Sequence, residues 1–507
     1  MAQAVIQPDA VTARVAARLE TVAAVVAPGR VTGPGDGADD DVATILEALL
    51  VGIGPRPTLE RVWALLTAAW GFYPTSDQTL EARRLIELRG PRRAALWLMD
   101  QALELNPTAT ATNGLRLVTT EVVVDVSHTA RSDLHTGIQK VVRSTVPIWI
   151  GHHPVIPVSW TDDASGWQEL SPTGRGRVLE WGRDRPADDG PQETAQVIVL
   201  PWHTVVVLME LPTMETVTRL AAVAEVSGNR VVAVGHDTIP VVRADELYPE
   251  QVTLFTRYLG VLKHARRVAA VSHSAAREFS GFASAVRPQG LPGPTVVACP
   301  VASDPPLSSP AATEVSRNPA VGVVPSIVCV GTIEPRKNHL ALLHACEVLW
   351  QEGHSFSLVL ISGSAWATEQ LTRIEELRAA GRPVELRVGA TDEELSEAYR
   401  RARFSVLASL HEGFGLPVSE SLAYGTPVVT SDYGGTRESA AGGGAVLVNP
   451  RDDDALVDAL RRLLTDDEEI ARLRREAARR APRQAADYAE RLWEQLVEPE
   501  LLAEESR

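Results

Sequence analysis

From about Leu117 onward the chain is written as short β-branched runs set between helical stretches, and this rhythm limits the fold more than any single residue does. Val122-Val123-Val124-Asp125-Val126, Val197-Ile198-Val199-Leu200, Val231-Val232-Ala233-Val234 and Val268-Ala269-Ala270-Val271 form a first series. Unbroken apolar runs of this kind predict parallel strands, because crossover helices bury both faces of a parallel sheet. A Pro- and Ser-rich stretch, Ser303 to Pro325, interrupts the series. It resumes with Ile327-Val328-Cys329-Val330, Leu358-Val359-Leu360-Ile361, Leu386-Arg387-Val388, Phe404-Ser405-Val406-Leu407 and Val428-Val429. The pattern predicts two α/β units joined by a linker. Ligands are then expected at the carboxyl ends of the strands, in the cleft between the units.

The 507 residues leave room for about three domains, so the two units do not account for the whole chain. Residues 1 to about 115 read as mostly helical. Leu59, Val62, Trp63, Leu66, Ala69 and Trp70 recur at helical spacing, and Ala95, Leu96, Leu98, Met99 and Ala102 make a second apolar stripe. Trp63, Trp70 and Trp97 on these stripes are expected in a core or an interface. The run from Gly33 to Asp41 is an acidic connection that lacks the alternating ligands and distal glutamate of a calcium loop. A net charge of −16 disfavours nucleic acid and gives no general attraction to anionic lipid, and no basic patch of convincing size stands out. Cys299, Cys329 and Cys346 have no metal-ligand spacing and suit a reducing compartment. Met1 to Pro34 lacks the basic start and apolar stretch of a secretory leader, and no run of ~18 apolar residues occurs. The expectation is a cytoplasmic protein with no integral membrane segment.

The densest chemical signal is a pair of glutamates, Glu412 and Glu420, around Gly413-Phe414-Gly415-Leu416-Pro417-Val418-Ser419. Gly413 and Gly415 allow a tight turn and close backbone approach, and Pro417 suits a first helical turn. Gly425 and Pro427 end that helix. Its start offers free N–H groups and a positive dipole end, a seat for phosphate, with Glu420 about one turn in, where a carboxylate can accept both hydroxyls of a ribose. Upstream, Val330-Gly331-Thr332-Ile333-Glu334-Pro335-Arg336-Lys337-Asn338 follows a strand. Asn338 is placed to cap the next helix, leaving Arg336 and Lys337 aimed at a diphosphate.

With these two motifs in order, the chain resembles the retaining glycosyltransferases of family 4, over roughly residues 117 to 495. The resemblance implies an α/β GT-B fold, two Rossmann-like domains facing across a cleft. The boundaries expected are a helical region 1–115, an acceptor-side domain 116–305, a nucleotide-sugar domain 320–482, and a terminal helix 483–507 crossing back to the first domain. It implies that Lys337 meets the donor pyrophosphate, that Glu420 holds the ribose, and that Glu412 lies near the transferred sugar. The amides of Phe414, Gly415 and Leu416 are placed at phosphate or sugar hydroxyls. The family's arginine directly after the glycine is Thr332 here, so Arg336 is the candidate for the second positive charge beside Gly331. His236, in Val234-Gly235-His236-Asp237-Thr238, is placed near the donor sugar.

Asp125-Val126-Ser127 and Thr136-Gly137-Ile138-Gln139-Lys140 are similar to bacterial mannosyl- and rhamnosyltransferases of surface polysaccharide synthesis, with Gly137 near the donor phosphate or the acceptor. For Gln139 and Lys140 a simple tight turn is an equal reading. Ser272 is a weaker cleft candidate. The implied reaction moves a hexose from a nucleoside-diphosphate sugar to a hydroxyl acceptor, with no metal or other cofactor. GDP-mannose is favoured as donor, and dTDP-rhamnose and UDP-hexoses stay open. A sugar-nucleotide epimerase, or a nucleotide-binding scaffold without turnover, are the alternatives. The first 115 residues are candidates for homo-oligomerisation or acceptor docking. Gly434-Gly435 and Gly442-Gly443-Gly444 lack the strand-to-helix setting of a dinucleotide fingerprint, and no serine has a nucleophile-elbow context.

Overall fold

The computed structural model describes residues 8–28, 42–182, 196–302, 324–481 and 484–505. The acidic connection at 33–41 and nearly all of the Pro- and Ser-rich linker lie outside the described residues. The first unit is a seven-stranded sheet in the spatial order Trp167–Glu169, Val155–Trp160, Val122–Asp125, Val205–Leu208, Arg230–Gly235, Arg267–Ala270, Thr295–Ala298. All neighbours are parallel except the first pair. The second is a six-stranded, wholly parallel sheet, Val384–Val388, Ser357–Ser362, Ser326–Val330, Phe404–Leu407, Val428–Ser431, Ala445–Val448. Every residue of Val122–Asp125, Val205–Leu208, Phe404–Leu407 and Val428–Ser431 is buried, as helices on both sheet faces require.

One expected strand moves. Val197–Pro201 does not join the seven-stranded sheet but pairs in parallel with Gly114–Val118 as a separate two-stranded sheet. Four apolar residues satisfy any buried parallel pair, so the run itself does not select its neighbour.

The front helices, from Pro8–Val26 to Pro107–Thr112, share one continuous core with the first sheet. Trp63 and Trp70 are completely buried, and Tyr73 sets its ring edge-on to Trp160 and Trp167 at 5.7 and 5.8 Å. The buried Arg18 guanidinium donates to the carbonyls of Ala68, Asn113 and Thr110 at 2.6, 2.6 and 2.9 Å. These carbonyls lie at the ends of Leu59–Trp70 and Pro107–Thr112, where intrahelical donors run out and a cation suits the dipole. Burial, then Arg14, lowers its pKa to about 10.

The helix Ala485–Leu492 returns to the first unit and lies on Gly137–His152. The Trp149 indole donates to the Ala489 carbonyl at 2.8 Å, and His153 stacks on Trp493 at 3.7 Å. All three cysteines are buried and unpaired. Among the described residues no helix is long and apolar enough to cross a membrane.

Candidate active site

The loops leaving the carboxyl ends of the two sheets meet each other, and the predicted residues collect there. Gly415 takes a left-handed conformation (φ 90°) and starts the helix Leu416–Ala423, with Pro417 in its first turn. This places Glu412 before the turn and Glu420 inside the helix. Both carboxylates are buried, Glu420 to 5% exposure.

Glu412 is the anionic centre of one cluster. Its carboxylate pairs with the Lys337 ammonium, accepts from Arg336 at 3.0 Å, and accepts the Ser409 hydroxyl at 2.8 Å. Burial alone would raise its pKa, but Lys337 and Arg336 outweigh that and hold it down to about 2. Arg336 also bonds Glu334 at 2.7 Å and the His411 carbonyl at 3.1 Å. The two cations therefore turn toward Glu412, where the sequence pattern aimed both at a diphosphate. Arg336 is committed on both terminal nitrogens, whereas the Lys337 ammonium has further donor positions. Gly331 lies beside the Lys337 stem, with a hypothetical Cβ 3.5 Å from Cε.

Asn338 does not cap the next helix with its side chain. It sits in the left-handed region (φ 59°), and its amide donates to the Ala408 and Pro450 carbonyls at 3.2 and 2.7 Å. A left-handed backbone points the side chain away from the helix N–H groups, so the residue ties three loops together instead.

Glu420 is the centre of the second cluster, which the two units build jointly. Lys140, from the helix Gly137–His152, donates to its carboxylate at 2.5 Å, and the Tyr399 hydroxyl lies 3.3 Å away. Burial pulls the Lys140 ammonium down, and Glu420 more than offsets this, so its pKa ends above the ordinary lysine value. Gly137 faces Leu416 across the cleft, where an added Cβ would stand 3.1 Å from the leucine methyl. Gln139 accepts from the Thr136 amide at 3.1 Å and meets the His128 ring at 2.8 Å, fixing the loop that carries Lys140. Lys140 thus stands in the first turn of a helix and reaches across to the other unit.

His236 is buried, and its Nε2 lies 2.8 Å from the Met209 carbonyl oxygen. A carbonyl only accepts, so Nε2 carries the proton; burial lowers the ring's pKa and favours the neutral imidazole. The His236 carbonyl packs against Gly413, and the Ser272 hydroxyl donates to the Gly413 carbonyl at 2.6 Å. Phe414 is buried in the core of the first unit although the chain around it belongs to the second.

Several contributors were not singled out from sequence. Glu438 accepts the N–H groups of His273 and Ser274 at 2.7 and 2.6 Å, capping the helix His273–Val286 of the opposite unit. Gly435, three residues earlier, lets its loop approach, since a Cβ there would stand 2.5 Å from the Gly413 carbonyl oxygen. Glu278 and His411 face each other across the same seam at 3.1 Å. In the first unit, Glu210 accepts from the His128 amide at 2.9 Å and the Thr129 amide at 3.1 Å. Glu438 and Glu278 lie within helices, where a carboxylate reads as a solvated face, and Glu210 lies just past the strand Val205–Leu208, outside any motif in the sequence.

Burial pushes Glu210 up to about 7, against the pull of those hydrogen bonds. Its folded pKa lies above its unfolded value near 4.5, so folding takes up a proton between them. The associated stability is fully present below about pH 4.5 and is lost as pH rises through about 7, in all about 3 kcal/mol. The melting temperature is expected to fall from pH 5 to pH 8, and Glu210→Gln to flatten that slope. Identical slopes in the two proteins would remove Glu210 from the effect.

Residues 316–480 match the family model described as Glycosyl transferases group 1. The serotype-specific mannosyltransferase WbdA of Escherichia coli is 30% identical over 342 residues, covering 64% of this chain and 40% of the relative. The O-antigen chain mannosyltransferase B of Escherichia coli is 33% identical over 139 residues, 27% of this chain and 36% of the relative. The chain thus spans about two-fifths of the length of these curated relatives. Among solved structures, Anabaena Alr3699/HepE in complex with UDP superposes with a TM-score of 0.51 at 16% identity, over 74% of this chain and 98% of the other. The catalytic domain of starch synthase IV from Arabidopsis thaliana does so with 0.50 at 13% identity, over 76% of this chain and 100% of the other. The fold is GT-B.

Proposed function

We propose, from the match of residues 316–480 to the model described as Glycosyl transferases group 1, an enzyme that moves a hexose from a nucleoside-diphosphate sugar to a hydroxyl. Mannose is the favoured hexose, since mannosyltransferases are among the relatives. The observation that carries the reading is the convergence of Glu412, Lys337 and Glu420 at the carboxyl ends of one sheet, closed over by Gly137 and Lys140 from the other.

Glu420 accepts the ribose hydroxyls, which must displace the Lys140 ammonium from the same carboxylate. Lys337 and the N-terminal amides of Leu416–Ala423 take up the negative charge that grows on the leaving diphosphate, with no metal. Arg336, bonded to Glu334, Glu412 and His411, fixes Glu412 beside the sugar, and the neutral His236 stands at the opposite wall. The bond from the anomeric carbon to the phosphate oxygen breaks as the acceptor oxygen bonds on the same face. The acceptor proton passes to the leaving phosphate, and configuration is retained. A cytoplasmic location is part of the same proposal.

Thermal melts against GDP-mannose, dTDP-rhamnose and UDP-glucose test this reading. GDP-mannose is expected to raise the melting temperature most, in proportion to the logarithm of its excess over Kd. Glu420→Ala and Lys337→Ala are each expected to weaken that response by about tenfold or more in Kd. If none of the three donors stabilises the protein, or Glu420→Ala keeps full affinity, the assignment fails.

A further inference from the structure

Beside the Glu412 cluster a cavity of about 450 Å³ opens at the rim of the cleft. Two aromatic rings from opposite units form one side of it. Tyr248 comes from the segment after the strand Arg230–Gly235, just before the helix Pro249–Leu262. Trp366 follows the strand Ser357–Ser362 of the other sheet. Their centroids are 5.1 Å apart with planes at 43°, so the rings meet across the boundary. Tyr248 is 54% exposed, and its ring meets Trp366 of the other unit instead of a core. The indole N–H of Trp366 has no hydrogen-bond partner among the described residues. Thr368 and Gln370 supply polar groups to the same cavity, and Pro335 and Leu410 form its inner wall.

That inner wall connects the cavity to the chemistry. Pro335 precedes Arg336, and Leu410 follows Ser409, two of the residues that hold Glu412. Neither glutamate of the pair, nor Lys337 or Lys140, lines the cavity, so it is separate from the nucleotide contacts. A pyranose ring has an apolar C–H face and a rim of hydroxyls. Aromatic faces with a free N–H and nearby hydroxyl and amide groups match both surfaces, and the volume lies in the range of small-molecule sites, about 300–1,000 Å³.

We propose that the Tyr248–Trp366 cavity is a carbohydrate subsite, holding a pyranose ring of the acceptor adjacent to the ring whose hydroxyl is glycosylated. The proposal rests on the transferase reading and names its acceptor class as a glycan. Because one ring belongs to each unit, the subsite is complete only when the units are together.

Saturation-transfer NMR with methyl α-D-mannopyranoside, methyl β-D-glucopyranoside and α-1,2-mannobiose tests it directly. Wild-type protein is expected to saturate the ring C–H protons of at least one sugar. Trp366→Ala and Tyr248→Ala are each expected to weaken that binding by about tenfold, and Tyr248→Phe to retain it. The melting-temperature response to GDP-mannose is expected to be unchanged in all three variants, which separates loss of the subsite from failure of the donor reading. No saturation of any of these sugars by wild-type protein would overturn the proposal, as would equal saturation after loss of both rings. Displacement of the sugar by free guanosine would also overturn it, since the cavity would then be a base site.

Discussion

Glu412→Ala is expected to destabilise the protein by about 3–5 kcal/mol and to abolish transfer. The carboxylate is the shared partner of Lys337 and Arg336, and Lys337 is itself only 9% exposed. Removing Glu412 leaves the buried Lys337 ammonium without its carboxylate and Arg336 with the Glu334 carboxylate alone, and an uncompensated buried charge costs far more than the net worth of the intact cluster. A second consequence follows from the same charges. Since Glu412 ionises near 2 in the folded chain, its stabilisation is complete above its unfolded value near 4.5 and disappears as pH falls toward 2. Urea titrations at pH 7 and pH 3 separate the two proteins: the gap between wild type and Glu412→Gln is expected to shrink at the lower pH. Adding Lys337→Met to Glu412→Gln is expected to recover part of the lost stability and none of the activity. An alanine variant that unfolds at the wild-type urea concentration would show that the cluster has no part in holding the fold.

Parallel strands with four buried residues, such as Val122–Asp125 and Phe404–Leu407, announce themselves because both faces are apolar. Val155–Trp160 does not, since Pro157 and Ser159 break the run and its neighbour Trp167–Glu169 is an antiparallel edge. Val205–Leu208 is as apolar as any strand but directly follows Val197–Pro201, so one signal was read where two strands exist. The nucleotide-side motif was legible because Glu412, the two glycines and Glu420 are local in sequence. Their partners were not: Lys140 and Glu420 are 280 positions apart, and Lys337 and Glu412 are 75 apart. Local pattern shows that a carboxylate enters a helix start; only the fold shows which cation reaches it. Asn338 illustrates the opposite error, a residue type that suits a cap, placed in a backbone conformation that prevents one.

Gly413→Ala is expected to leave each unit folded and still lower turnover at least about 100-fold. Gly413 does not need a positive φ, so alanine is tolerated by its own backbone. The obstacle is in the other unit. A Cβ at this position would lie inside van der Waals contact of the His236 carbonyl oxygen and 3.1 Å from the Asp237 Cβ. A backbone carbonyl at the end of a buried strand cannot rotate aside, so separation of the units is the available relief. Separation stretches the bond from Ser272 to the Gly413 carbonyl, the Glu438 cap on His273–Val286 and the Lys140–Glu420 pair together. An acceptor held on one unit and a donor on the other then lose their alignment, and a displacement of about 1 Å is enough for a 100-fold loss. Small-angle scattering is expected to report a larger radius of gyration than wild type, with a melting temperature close to it. GDP-mannose affinity is expected to fall less than turnover, since Glu420 and Lys337 belong to the unit that carries the substitution. Unchanged turnover in the alanine variant would mean that the closely packed seam of Gly413 and His236 is not the form in which the sugar is transferred.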